Sequence, residues 1–380
     1  QPGLGPKQHT MPEYAFVANY GYHLDAAKFA QLLKTHCVEK LGVTHLLDHV
    51  THINGAVDGD IESLTTKNNG NIAADLFIDC SGLTSLLIGK HYQVPFVDAK
   101  QTLFNDSALV VQVPYDQENA PIASHTRSTA QSAGWIWDIG LSSRRGVGYV
   151  YSSAHQNDNE AEQTLLNYLS QSIGDKATSL PIRKIPINPG YRKTFWHHNC
   201  VAVGLSAGFL EPLEASALVM IELAANQISE QLPANCQVMD ILAKRFNDKF
   251  EYRWQRIIDF LKLHYVLSQR TDSDYWHDNR QSSTVPDSLQ TLLSLWRYQS
   301  PWHHDFSQTD EIFSSASYQY VLYGMGFKTE SSGSAPADER EKARQCFAQN
   351  TQLAQKWLKA MPSNRELINN IKRFGMPAQR

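Results

Sequence analysis

Hydrophobic and polar positions follow two different patterns along this chain, and the change falls near residue 212. Before that point, short apolar runs are separated by Gly, Asn and Asp, which is typical of strands joined by turns. After it, apolar residues recur every three or four positions over long stretches, which indicates amphipathic helices. The pattern therefore predicts a mixed α/β part followed by a mostly helical part.

The first part is predicted to hold one helix among several strands. Asp25 is the expected N-cap of this helix, and Gly42 is expected to end it. Turn signals between the strands come from the segments NGAVDGD and NNGN. Strands are predicted at residues 14–21, 43–80, 107–114 and 133–152.

The second part is predicted to be built from long helices. Residues 329–339 are rich in Ser, Gly and Pro, and their composition predicts a loop. Helices are predicted at residues 219–232, 241–270, 288–298 and 340–361.

Composition narrows the class of protein. Hydrophobic residues make up 42% and charged residues 19%, as in ordinary globular proteins, and the net charge of −4 offers no basic field for nucleic acid. The five cysteines form no CxxC pair, which argues against a disulfide framework or a structural zinc site and favours a reducing cytoplasm. The most apolar stretch, residues 201–225, is interrupted by acids and a proline, so no membrane span is expected.

Two carboxylates, Glu211 and Glu214, flank Pro212 in the segment GFLEPLEAS. Proline suits the first turn of a helix, so a helix is predicted to start there and to hold Glu214 in its first turn. Spacing alone favours a structural role, because acids at this position complement the positive end of the helix dipole.

The wider segment HHNCVAVGLSAGFLEPLEASALVMIELAA resembles the second flavin-binding segment of the flavin-dependent tryptophan halogenase family. Four more segments resemble that family in the same order, and they include GWIWDIG, which is similar to its WxWxIP motif. These four segments are residues 20–33, 74–89, 134–153 and 258–280.

The resemblance implies an α/β, FAD-dependent two-domain fold of the flavin monooxygenase/halogenase type, with mixed sheets and a mostly helical C-terminal part. Residues 1–225 would form the flavin-binding and central sheet region, and residues 226–380 the helical substrate side. Reduced FAD, oxygen and a halide would yield hypohalous acid, which halogenates an indole-like aromatic substrate. The implied partners are chloride or bromide, this small aromatic substrate and a separate flavin reductase; a homodimer is left open.

The resemblance also implies roles for particular residues. Glu214 matches the family's active-site glutamate, while Ser216 and Ala217 match the residues that hold the halide. Trp135 and Trp137 match the motif tryptophans beside the flavin and the tunnel. Small residues let backbone N–H groups approach a ligand, and a helix N-terminus stabilises reduced flavin. The implied cofactor-binding residues are Ser81, Gly82, Gly204, Leu205, Ser206, Ala207 and Gly208.

Several departures from the family pattern keep other interpretations open. Gly140 replaces the motif proline, which predicts a loop that is either looser or suited to another substrate, and Ala215 removes a hydroxyl beside Glu214. A flavin monooxygenase of the same fold therefore remains an alternative, although Leu205, where many hydroxylases have aspartate, favours a halogenase. No GxGxxG segment is found, because GLGPKQ, GVGYVY and GMGFKT each lack the third glycine. The family's lysine would lie ahead of Gln1, so the sequence is interpreted as a truncation, a fragment or a degenerate, flavin-free relative.

Structural interpretations compete at several of these positions. Without the resemblance, the two motif tryptophans would be assigned to packing, because alternate residues of a strand share a face. His264 and Tyr265 lie on a predicted helix and are expected to pack rather than to act chemically. The paired histidines at 197–198 and 303–304 lack the spacing of metal ligands, so no metal is expected. The aromatic segment 294–306 is assigned to the core in preference to a substrate pocket.

Overall fold

A computed structural model describes residues 3–308, 310–330 and 336–378. The described residues form a mixed α/β structure whose C-terminal part is mostly helical, as predicted. The helices are α1 (Ala26–Leu41), α2 (Asp158–Ile173), α3 (Ser216–Glu230), α4 (Met239–Val266), α5 (Asp274–Asp278), α6 (Asp287–Trp296), α7 (Ser315–Gly324), α8 (Ala337–Ala360) and α9 (Asn364–Phe374). The strands are β1 (Val50–Gly55), β2 (Ile61–Thr66), β3 (Gly70–Ala73), β4 (Phe77–Asp79), β5 (Phe96–Asp98), β6 (Ser107–Pro114), β7 (Arg127–Gln131), β8 (Gly134–Gly140), β9 (Arg144–Tyr151), β10 (Arg183–Pro186), β11 (Gly190–Arg192), β12 (Trp196–His197), β13 (Cys200–Ala202) and β14 (Gly208–Phe209).

A five-stranded antiparallel sheet, in the order β10-β6-β9-β8-β7, separates two hydrophobic clusters. Alternate side chains of its strands point to opposite faces. Ile136 and Tyr149 pack with Leu165 of α2 on one face, whereas Trp135 and Val150 join the larger core on the other. The larger core also contains most of the buried residues of α4, so this sheet and the C-terminal helices share one interior.

The three-stranded sheet β12-β13-β4 provides the parallel pairing on which the site depends. Cys200, Val201 and Ala202 pair in register with Phe77, Ile78 and Asp79. Because the two strands run in the same direction, the turns that follow them lie side by side at one end of the sheet.

Most of the predicted elements are confirmed. Asp25 caps α1 by accepting a hydrogen bond from the backbone N–H of Lys28, and Gly42 ends the helix with φ +69°. The four helices of the second part are present, and α8 begins at Ala337, close to the predicted position. Residues 331–335 of the predicted loop lie outside the described residues. In the aromatic segment 294–306, Trp296 is buried in the core, whereas Trp302 is exposed.

Two local predictions are wrong. Residues 14–21 form no strand, and there the backbone N–H of Val17 donates to the carbonyl of Pro6 in a neighbouring loop. Helix α3 begins at Ser216 rather than at Pro212, so Glu214 does not lie in its first turn. The reason is Ala215, whose φ of +52° is left-handed and interrupts the helical path, while its N–H closes a turn to the carbonyl of Pro212.

The long helices differ in how much of their surface is covered. No residue of α1 is buried, although the helix has 16 residues. In contrast, 13 residues of the 28-residue α4 are buried, including three charged ones, Arg253, Asp259 and Lys262. In the described ranges, none of the helices is both long and apolar enough to cross a membrane.

Candidate functional site

The site is built around two short turns that follow the parallel strands β4 and β13. Gly204 begins the second turn with φ +72°, and Gly82 begins the first with φ +69°. The two turns are joined by the Ser85 hydroxyl, which donates to the Ser206 carbonyl at 3.0 Å. The Ser206 hydroxyl in turn contacts the carbonyl oxygens of Asp79 and Val203.

The second turn and the start of α3 enclose one cavity. A side chain at Gly208 would collide with the backbone of β11, so glycine is required for this close strand contact. Six residues predicted from the sequence line the cavity together: Gly204, Leu205, Ala207, Gly208, Ser216 and Ala217. The structure thus places the predicted halide residues beside the predicted cofactor turn.

The hydroxyl groups of the two serines in the predicted cofactor turns, Ser81 and Ser206, are engaged within the protein. The Ser81 hydroxyl donates to Asp79 at 2.6 Å and accepts the backbone N–H of Leu86 at 2.6 Å. The other carboxylate oxygen of Asp79 accepts two more N–H groups, from Leu87 and Ile88. Since the hydroxyl groups of Ser81 and Ser206 both bond within the protein, they shape the turns, and the backbone groups of these turns are left to meet a ligand.

Glu211 is the centre of a buried hydrogen-bond network. Only 2% of the residue is exposed, and its carboxylate accepts hydrogen bonds from Tyr265, Trp135 and Asn105. The Tyr265 hydroxyl lies 2.5 Å from Oε1, and the Trp135 Nε1 lies 3.1 Å from Oε2. Burial raises the pKa of the Glu211 carboxyl, while these three donors oppose that rise because they stabilise the ionised form. Glu211 is therefore a structural acid.

Glu214 has a different environment, although it lies only three residues further along. Its side chain is 32% exposed, and Oε1 lies 3.0 Å from Nε2 of His264 on α4. The opposite ring nitrogen, Nδ1, lies 2.9 Å from the carbonyl oxygen of Phe260. Consecutive residues of α4, His264 and Tyr265, thus contact the two carboxylates of the GFLEPLEAS segment.

The two motif tryptophans lie on β8 with ring centroids 6.1 Å apart. Trp135 is buried and bonded to Glu211, whereas Trp137 is partly exposed and covers Gly148 of β9. Among the described residues, neither tryptophan lines the cavity at the start of α3. Their predicted contact with flavin and tunnel therefore stays a prediction.

Gly140, which departs from the family motif, is not in a loose loop. It is buried and paired with Arg145 at the end of β8. A side chain there would meet Ile122, Ala123 and Tyr115, with the Ile122 methyl group only 2.9 Å away. The expectation of a looser loop is wrong, because neighbouring residues fill the space that a side chain would take.

Sequence reasoning missed most residues that hold the carboxylates in place. His264 and Tyr265 were assigned to packing, and Asn105 and Lys262 carried no signal of their own. Lys262 is fully buried, donates to Asn279 at 2.9 Å and lies over the Phe104 ring. The adjacent His and Tyr of the LHY segment are the one available signal, because polar groups on the buried face of a helix need partners. Within the described ranges, no three His, Cys, Asp or Glu side chains form a group that could hold a metal ion.

Comparisons with known proteins agree on one family. A family profile described as tryptophan halogenase matches residues 5–338. The 7-chloro-L-tryptophan 6-halogenase KtzR of Kutzneria sp. (strain 744) is 34% identical over 93% of this chain and 67% of its own length. The tryptophan 6-halogenase SttH of Streptomyces toxytricini is 36% identical over 81% of this chain and 57% of its own length. The chain thus spans about three fifths of the length of these curated relatives.

Solved structures show the same fold. A tryptophan halogenase from Shewanella frigidimarina NCIMB 400 is 53% identical and superposes with a TM-score of 0.96 over 99% of this chain and 72% of its own. Tar14, described as a tryptophan C-6 flavin-dependent halogenase from taromycin biosynthesis, is 32% identical, with a TM-score of 0.88 over 98% of this chain and 74% of its own. The profile match and these relatives show that the chain belongs to the tryptophan halogenase family.

Proposed function

We propose that the complete protein is an FAD-dependent halogenase that attaches chloride or bromide to an indole-like aromatic substrate. The observation that carries the proposal is the placement of Glu214. This carboxylate is partly exposed, precedes the start of α3 and lies two and three residues before Ser216 and Ala217, which line the cavity. A reaction that removes a proton from a substrate needs a base in such a reachable position.

The residues around the two turns fit a planar cofactor. Open space surrounds the Cα of Gly82, so a ring can approach its backbone closely. Leu83 and Leu205 are 59% and 44% exposed, which offers apolar surface for the ring. Gly204 and Gly82 would border the flavin, and the start of α3 would face its negatively charged form.

The start of α3 also suits a halide. No side chain caps the helix, because Ala215 occupies the N-cap position and has no hydrogen-bonding group. The first N–H groups of α3 therefore have no side-chain partner, and the helix dipole adds partial positive charge there. We infer that an anion is held beside Ser216 and Ala217.

Bound reduced FAD would supply, with oxygen and halide, the electrophilic halogen. Glu214 would hold the halogenating species near the aromatic carbon and then accept the proton that this carbon releases. Glu211 would keep Trp135 and the segment before Glu214 in place through its buried hydrogen bonds. A separate flavin reductase is the inferred electron source, as the resemblance to the family implies.

The test is Glu214→Gln in the complete protein, with Glu222→Gln as the matched control on the exposed side of α3. We expect Glu214→Gln to lower the halogenation rate by about 100-fold or more, the scale of losing a general base, while FAD binding stays nearly unchanged. Glu222→Gln should behave as the unmodified protein. If Glu214→Gln loses FAD binding to the same extent as halogenation, Glu214 has a structural role. Oxygenated product that forms without halide would instead identify a monooxygenase of the same fold.

A further inference from the structure

His264 is oriented by its own helix before it meets Glu214. Its Nδ1 lies 2.9 Å from the carbonyl oxygen of Phe260, one turn earlier on α4. A carbonyl oxygen only accepts hydrogen bonds, so Nδ1 must carry a proton and donate it. The ring also packs edge-on against Phe260, which is buried and stacked on Phe313 at 3.9 Å. The imidazole is thus fixed by a rigid support.

The fixed Nδ1 proton determines what lies between His264 and Glu214. Nε2 is 3.0 Å from Oε1 of Glu214, which is a hydrogen-bond distance. A neutral ring with its only proton on Nδ1 would turn a lone pair towards the carboxylate oxygen, which is repulsive. The contact therefore requires a second proton, held between Nε2 and Oε1.

We propose that His264 is a positioning residue for Glu214, which it holds through a hydrogen bond between Nε2 and Oε1. This inference rests on the proposed halogenase function. The second carboxylate oxygen, Oε2, is thereby left to face a substrate. The pair is partly exposed, at 20% for His264 and 32% for Glu214, so a substrate can reach it.

The proton transfer balances without any further reactant. When the halogen has bonded to the ring carbon, the electrons of the carbon–hydrogen bond return to the aromatic system. The released proton moves to Oε2 of Glu214, which becomes a neutral carboxylic acid, and the Nε2 proton stays on His264. Glu214 then returns the proton to solvent, because its side chain is partly exposed.

Kinetics of two variants in the complete protein test the positioning role. His264→Phe removes the hydrogen bond, and we expect kcat to fall about 10- to 100-fold with KM for the aromatic substrate nearly unchanged, since a small misplacement of a reacting group has that effect. His264→Gln keeps an N–H donor and should recover most of the rate. His277→Phe, at an exposed position on α5, is the control and should leave kcat unchanged. A His264→Gln variant as slow as His264→Phe, or an unchanged kcat in both, would overturn the proposal.

A spectroscopic readout separates this proposal from the halogenase function. In nitrogen-15 spectra of histidine-labelled protein, we expect the Nε2 signal of His264 to be displaced by its hydrogen bond to Oε1 of Glu214. Glu214→Ala removes the partner oxygen and should return the signal to the position of an exposed histidine such as His277. A signal that Glu214→Ala leaves unchanged would refute the hydrogen bond even if halogenation occurs. A signal that responds to Glu214→Ala in a protein that halogenates nothing would refute the function and leave the pairing standing.

Discussion

Lys262 and Glu211 show how burial changes the pKa of an ionisable side chain. The Lys262 side chain is fully buried and donates a hydrogen bond to Asn279. Burial lowers the pKa of Lys262 to about 7, although the nearby Glu211 charge acts in the opposite direction. The folded protein therefore binds this proton less well than the unfolded chain does.

Lys262→Met is expected to change the pH dependence of stability. Between about pH 7 and 10 the unfolded chain holds a proton on Lys262 that the folded protein has lost, so stability rises with pH in this range. The free energy of unfolding of the unmodified protein, minus that of Lys262→Met, should rise by roughly 1 kcal/mol per pH unit. Denaturant titrations of both proteins across the range measure this difference. The exposed Lys244→Met on the same helix should show no such slope, and a flat difference for Lys262→Met would contradict the buried, weakly basic amine.

At the scale of single elements, β8 and β9 show why a strand pair can depend on one glycine. Gly148 lies directly opposite Trp137, and a Cβ added there would lie 2.0 Å from the indole ring. Gly146, two residues earlier on the same strand, has open space at the same point. The indole thus fills the place that a side chain on β9 would need.

Gly148→Ala should force the Trp137 ring to move and destabilise the protein by about 1–3 kcal/mol, the range for overpacking. Gly146→Ala is the matched control and should cost well under that amount. Unfolding midpoints measure the difference, and near-ultraviolet circular dichroism reports the tryptophan. Equal effects from the two alanines would show that backbone freedom, and not the ring contact, decides the outcome.

The sequence predicted the secondary-structure elements better than it predicted which residues would contact one another across them. The capping residues predicted both ends of α1 correctly, because Asp25 and Gly42 act on adjacent backbone groups. The start of α3 was misplaced, since the left-handed Ala215 leaves no mark in the hydrophobic pattern. Glu211 and Glu214 are chemically identical and three residues apart, so spacing alone could not distinguish their environments, and only the resemblance to the halogenase family singled out Glu214. That difference comes from His264 and Tyr265, which lie some 50 residues further along the chain.

At the scale of the whole molecule, the helices differ in how many of their residues are buried. The pattern of apolar positions predicted the change from mixed α/β to helical structure, but not which helices would be covered. Nor could it pair β4 with β13, whose sequences are separated by more than a hundred residues. The division at residue 225, the homodimer and the cytoplasmic location stay predictions.

Hydrogen exchange should reveal this difference in burial between helices. Helices α1 and α2 both have 16 residues, but α2 buries Ala161, Leu165 and Leu169 whereas α1 buries none. An isolated helix of this length is marginal in water, so α1 should open locally at little cost. We expect its amides to exchange at least about 10-fold faster than those of α2, as measured by mass spectrometry of peptides. Equal protection in the two helices would mean that α1 is buried in solution against another surface.

Strand β4 is an edge strand of its sheet, and this position affects the solution behaviour of the polypeptide. One side of β4 pairs with β13, while within the described residues the other side has no partner strand. Ile78 on β4 and Leu83 just beyond it are 41% and 59% exposed. An open edge next to apolar surface is a template on which strands of other molecules can add. For a solution of this polypeptide alone, we therefore expect light scattering to detect oligomers of no fixed size, limited by the three-residue length of the edge.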